Sequence, residues 1–125
     1  MHWRENNMTS KELNLRLKYA LPEIKELYDD ETSWQDGDNT GSHIVYGDVF
    51  APFIKEQIKF NNKIYLKQLF QFIEDLLLLN DKYTDEVISF SVIESLLFDG
   101  EITKNMFIQY VGQKTLKIIA EIERD

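Results

Sequence analysis

Apolar residues recur at helical intervals along most of the chain. Leu13, Leu17, Leu21, Ile24 and Tyr28 follow one another at four, four, three and four residues, which is the spacing of one helix face. Thr9 stands ahead of them with Glu12 three positions on, a capping-box pattern that marks a helix start. Pro22 interrupts the series but not its phase. It removes a backbone donor and disfavours helix at Leu21, so a brief break is expected, with Pro22 opening the second piece.

Periodicity then lapses. Residues 29–47 (DDETSWQDGDNTGSHIVYG) hold three of the five glycines and the turn signals Asp-Gly and Asn-Thr-Gly. They read as one long acidic loop, in which Ile44-Val45-Tyr46 is at most a short extended piece. Asp48 reads as the cap of a helix of about 12 residues bearing Phe50, Phe53, Ile54 and Ile58, with Pro52 in its first turn. Asn61-Asn62 interrupts it. From Lys63 to Leu79 the apolar positions are Leu66, Leu69, Phe70, Ile73, Leu76 and Leu77. Asn80-Asp81 closes that helix, and another runs from Tyr83 to Phe98. This one is apolar on most sides, which predicts a central place. Asp99-Gly100 ends it; Thr103 caps a short helix to Val111, Gly112 breaks it, and a last helix over 113–123 is expected to bury Leu116, Ile119 and Ile122.

The fold class is therefore all-α: six to seven short helices in antiparallel hairpins. Hairpins of about 48–80 and 83–111 would stack in the manner of HEAT or armadillo units, although no residue-level repeat is present. At 125 residues the expectation is one domain over 1–125, with residues 1–8 frayed.

Composition narrows the chemistry. There is no cysteine, which removes disulfides and thiolate metal sites. The start lacks an apolar signal segment, and the longest apolar run, Leu76 to Leu79, is far too short to span a membrane. A cytoplasmic protein without membrane attachment is expected. The formal charge is −8, and residues 23–48 hold eight acids against Lys25, a balance of −7. Such a concentration of charge steers partners rather than shaping a fold. The one basic row, Lys55, Lys59, Lys63 and Lys67, reads as a solvated helix face, so direct nucleic-acid binding is not expected.

Candidate catalytic and metal patterns fall short. Asp36-Gly37-Asp38-Asn39-Thr40-Gly41 begins like a calcium loop, but position 12 is Gly47 where a bidentate glutamate is needed. His43 is the one internal histidine, and neither Ser42 nor Ser33 sits in a nucleophile-elbow pattern. Glu74-Asp75 and Asp85-Glu86 are neighbours in sequence, which does not make them face one another, and they read as solvated polar faces. No cofactor or metal is expected, and no catalytic residue is assigned. Trp34 in the acidic stretch either anchors the loop or is presented to a partner.

Leu21-Pro22-Glu23, Trp34, Gly47-Asp48-Val49-Phe50 with Pro52, Phe70-x-Phe72-Ile73-Glu74 and Tyr110-Val111-Gly112 together resemble a family of small, acidic, uncharacterised helical proteins of bacteria. The resemblance spans about Ser10 to Glu123. It implies an association with immunity-type genes found beside secreted or contact-delivered toxins, and it brings no catalytic or binding residue with it.

The expected function is thus protein binding: an immunity protein that neutralises a basic toxin domain by stoichiometric contact. Asp29, Asp30, Glu31, Trp34, Asp36 and Asp38 would form the contact, with Asp81, Asp85 and Glu86 as a second edge. The alternatives are a helical adaptor, which requires a groove of exposed apolar residues, and a carboxylate- or metal-using enzyme, which requires acids on facing helices.

Overall fold

Thr9 opens the first helix as its sequence pattern requires. Its side-chain oxygen accepts from the Glu12 backbone N–H at 3.1 Å, while its own N–H donates to the Glu12 carboxylate at 3.2 Å. In the computed structural model, which describes residues 7–124, six helices follow one another and no strand forms among the described residues. They are α1 (Ser10–Ala20), α2 (Lys25–Thr32), α3 (42–59), α4 (Lys63–Leu77), α5 (82–97) and α6 (Gln113–Arg124). No helix among them is long and apolar enough to cross a membrane.

The expected fraying covers too much. His2 lies outside the described residues, but Met8 is buried at 3% exposure, and its N–H donates to the Asp81 carboxylate at 2.9 Å. Pro22 behaves as read: a single 3-10 turn, Pro22–Ile24, joins α1 to α2. The apolar phase carries across it, so Leu13, Leu17, Leu21, Ile24 and Tyr28 are all buried.

The long loop is shorter than 29–47. Residues up to Thr32 are helical, and helix resumes at Ser42, so Ile44-Val45-Tyr46 is helical rather than extended. Gly47 and Asp48 lie inside α3, and Asp48 caps nothing. The misleading signal was Gly47. It sits in mid-helix at the crossing with α5, where a Cβ would make an ordinary van der Waals contact with the Ser91 side chain at 3.6 Å. At this crossing both helices widen into π-helical turns, Tyr46–Phe50 in α3 and Val87–Ile93 in α5. Inserted turns of this kind shift which face a helix buries. Val87, Ile88, Val92 and Ile93 are buried accordingly, in pairs five apart. The same shift leaves Phe90 exposed, so α5 is not the all-round central helix its composition predicts.

Asn61 and Asn80, at φ 55° and 57°, take the left-handed conformation that ends α3 and α4, a role asparagine fills better than other side-chain-bearing residues. α4 supplies Leu66, Leu69, Phe70, Ile73, Leu76 and Leu77 to the core and packs against α3 and α6. The second hairpin lacks its return helix. Residues 104–110 form two 3-10 turns, Lys104–Met106 and Ile108–Tyr110, between which Phe107 stacks on Phe70 at 5.7 Å. HEAT-like repetition therefore stops at the α3–α4 pair. In α6, Thr115 and Ile119 are buried, Ile122 is half-buried and Leu116 is exposed. Glu74 of α4 explains that rotation. Its carboxylate accepts from the N–H groups of Lys114 (2.7 Å) and Thr115 (3.1 Å) and from the Thr115 hydroxyl (2.9 Å). Glu74 is a cap supplied from another helix, not a solvated acid.

Candidate functional site

Along α2 and the turn that ends it, Leu27, Asp30, Glu31 and Trp34 fall at i, i+3, i+4 and i+7, one face of a helix. Along α3, Asp48, Val49, Pro52, Phe53 and Glu56 do the same. The two stripes form the walls of one open groove of about 420 Å³. Four carboxylates (Asp30, Glu31, Asp48 and Glu56) line it, and no basic side chain does. Trp34 stands at its edge with 72% of its surface exposed. Trp34 is therefore solvent-exposed rather than folded back onto the domain.

The turn that carries Trp34 is firmly held. Ser33 N–H donates to Asp29 O at 2.9 Å and Gln35 N–H to Thr32 O at 3.1 Å. The Gln35 amide donates to the Glu31 carboxylate at 2.7 Å. Beyond it, residues 36–42 are fastened to α1 by Asn14, a fully buried polar side chain. Its amide donates to the carbonyls of Asp38 (3.0 Å) and Thr40 (2.6 Å), and its oxygen accepts from the Ser42 hydroxyl (2.8 Å). Thr40 closes the turn, its hydroxyl donating to Gly37 O and accepting from Asp36 N–H. Gly37, at φ 56°, takes a left-handed conformation at the entry to this 3-10 turn, which glycine adopts without strain.

The acids expected to act together are thereby divided. Asp30, Glu31 and Trp34 meet in the groove. Asp29 does not join them; it pairs with Lys25 at 2.5 Å, which holds its carboxyl below the usual range. Asp38 accepts from the Tyr28 hydroxyl at 2.7 Å and lies 3.7 Å from Lys18, whose ammonium also sits over the Tyr28 ring. Burial, reinforced by that bond to Asp38, pushes the Tyr28 phenol well up. Asp36 is exposed outside the groove. In place of these three, α3 contributes Asp48 and Glu56. Glu56 lies on the helix expected from Asp48, but the sequence does not show that this stripe faces α2; its signal is the spacing Asp48, Pro52, Glu56 at i, i+4, i+8.

The second edge needs correction at Asp81. This residue is completely buried and caps α5, accepting from the N–H and hydroxyl of Thr84 at 2.9 and 2.6 Å and from Met8 N–H. It offers a partner no carboxylate. Asp85 is half-buried, with one carboxyl oxygen lacking a hydrogen-bond partner. Burial pushes it up to about 6, with Lys114 opposing and Asp81 reinforcing the shift. Glu86 is half-buried beside it.

The other chemical patterns resolve as ordinary structure. His43 Nδ1 lies 2.6 Å from the Ser91 hydroxyl and its ring packs edge-on to Tyr83. The serines nearest it in sequence bond elsewhere, Ser42 to Asn14 and Ser33 to Asp30 O. Among the described residues, no group of three or more histidines and carboxylates is placed to hold a metal ion. The lysine row is split between α3 and α4, and its first two members pair with acids after α5: Lys55 with Asp99 at 3.1 Å and Lys59 with Glu101.

Compared with known families, residues 14–124 match the one described as Domain of unknown function (DUF7674). The chain belongs to the DUF7674 family. The matched span agrees with the resemblance read over residues 10–123, and it includes Asn14 and both walls of the groove. No curated protein and no solved structure matches this DUF7674 chain. The family's description carries no activity, so function has to be argued from the groove itself.

Proposed function

We propose that the protein is a stoichiometric binder of a basic protein, and that the groove between α2 and α3 is its docking surface. The observation that carries this reading is the convergence of Asp30, Glu31, Asp48 and Glu56 around an apolar floor, with exposed Trp34 at the edge. Carboxylates of one sign in a concave surface attract cationic partners from a distance and reject acidic ones. A solvent-facing tryptophan on a hydrogen-bonded turn supplies the kind of anchor that dominates interface energetics. The turn's hydrogen bonds pre-order this surface, which lowers the entropy lost on binding.

The biological reading that fits these properties is immunity: a bacterial cytoplasmic protein that occupies a basic toxin domain, as the sequence resemblance implies. The test is binding to the product of the adjacent gene, measured by surface plasmon resonance at several salt concentrations. Asp30→Asn with Glu56→Gln should slow association and flatten its salt dependence. Trp34→Ala should speed dissociation. A basic partner bound equally well by all these variants would defeat the proposal.

An adaptor role has an observation of its own, a groove lined by Phe90 of α5 and Phe98 just after it, with Ile118 and Ile122 of α6 opposite.

A further inference from the structure

Phe90 and Phe98 keep 60% and 73% of their surface exposed, although α5 completes its share of the core without them through Val87, Ile88, Val92, Ile93 and Leu96. With Glu94 between them, and Ile118, Glu121 and Ile122 of α6 opposite, they line an open groove of about 490 Å³. Past Phe90 the groove runs on into a shallower depression edged by Lys82, Asp85 and Glu86. Adjoining exposed aromatics of this kind mark an interaction surface more often than a random scatter of apolar side chains.

Two features define the occupant. The first is shape. Two helices side by side leave a trough that a third can fill by ridge-and-groove packing. The stretch walled by both helices, Ser89 to Phe98 on one side, is roughly 14 Å long at the helical rise, about two and a half turns. The second is charge. Between Phe90 and Phe98 the groove is bordered by Glu94 and Glu121 and by no base. Beyond Phe90, Asp85 and Glu86 stand with Lys82, and Lys114 and Lys117 of α6 lie near Asp85 and Glu121. A second copy of this chain would set acids against acids, at −8 per molecule.

We propose that the α5–α6 groove receives an amphipathic helix of another protein, with an apolar stripe flanked by lysine or arginine. This is helix-in-groove recognition. It deepens the adaptor reading and rests on it, while sharing no lining residue with the acidic groove, so either surface can fail without the other.

The probe is a synthetic, fluorescein-labelled helix of about four turns with a leucine stripe and lysine flanks, followed by fluorescence anisotropy. A composition-matched scramble and a version with glutamate flanks serve as comparisons. Binding should be confined to the lysine-flanked helix. It should weaken roughly tenfold or more in Phe90→Ser and in Phe98→Ser, and depend less on salt in Glu94→Gln/Glu121→Gln. Both phenylalanines are exposed, so their variants should melt like the parent. Absence of binding, equal binding of the scramble, or binding that survives Phe90→Ser/Phe98→Ser but falls with Asp30→Asn/Glu56→Gln would overturn the proposal. Sedimentation showing a dimer abolished by Phe90→Ser would overturn it too, by assigning the groove to a second copy.

Discussion

Asn14 offers the sharpest test of how the acidic turn is held. Its amide satisfies two carbonyls and its oxygen one hydroxyl, with no exposure to water. Asn14→Leu keeps the side-chain volume close but removes every one of these bonds. The Ser42 hydroxyl has a second acceptor, Ser10 O at 3.2 Å, so it need not go unpaired. The Thr40 carbonyl has no such escape, and the Asp38 carbonyl only a partial one through solvent. An unsatisfied buried polar group costs about 1–3 kcal/mol, which puts the variant at about 2–4 kcal/mol less stable than the parent. That is a large share of the roughly 5–15 kcal/mol typical of a domain.

Asn14→Asp separates the donor's part from simple packing. A carboxylate there faces two carbonyl oxygens, so the folded state favours the protonated acid, and its pKa rises above the unfolded value. The folded state then binds the extra proton, and the stability of Asn14→Asp relative to the parent falls as pH rises above about 4. Asn14→Leu should show a pH-independent deficit. Urea denaturation followed by far-ultraviolet circular dichroism at about pH 4 and about pH 7, each variant compared with the parent at the same pH, measures both. A leucine variant within about 0.5 kcal/mol of the parent, or an aspartate variant with the same deficit at both pH values, would refute the argument.

Two further outcomes follow from the fold. A Cβ at Gly112 would lie 2.4 Å from the Glu74 carboxyl, so Gly112→Ala should dislodge the cap of α6 and cost about 1–2 kcal/mol. Glu74→Ala should cost a similar amount, and the double variant little more than either alone, as a thermal-melt double-mutant cycle would show. Asp85 binds its proton more tightly when folded, between its ordinary value of 3.8 and about 6, so it withdraws stability as pH rises through that window. Asp85→Asn should therefore be more stable than the parent above pH 6, by about 1 kcal/mol after allowing for solvent screening of a half-exposed group. The gain should vanish towards pH 4; a gain that is the same at both ends would remove Asp85 as its cause.

Local chemistry made much of this fold readable. The Thr9–Glu12 box, the proline break and the asparagines at 61 and 80 each act within a few residues, and each stands where its pattern placed it. What the sequence hid depended on partners far along the chain. Gly47 imitates a turn signal although it lies inside α3, where that helix crosses Ser91 of α5. Asp81 has the look of an exposed helix-start acid because its third bond comes from Met8. Glu74 seemed solvated because the helix it caps begins some 40 residues later. At the candidate site, the α2 half of the groove was legible as an acidic, tryptophan-bearing stretch. The α3 half was not, since Asp48 and Glu56 join the site only through the packing of α3 beside α2.

The bond from Met8 to Asp81 spans 73 positions, as does the contact between the Ser10 and Tyr83 hydroxyls. It sets an order of events during synthesis. The segment leading into α1 leaves the ribosome first, yet its docking site at the start of α5 does not exist until the chain has been made through Thr84. Until then α1 can coil on its own capping box but has nowhere to seat its entry, and the Asn14 fastening to residues 36–42 is the earliest distant anchor open to it. This part of the fold closes by bringing earlier-made residues back onto later-made ones. Removing Met8 would leave every helix intact in sequence while taking away one of the two clasps that tie the entry of α1 to α5.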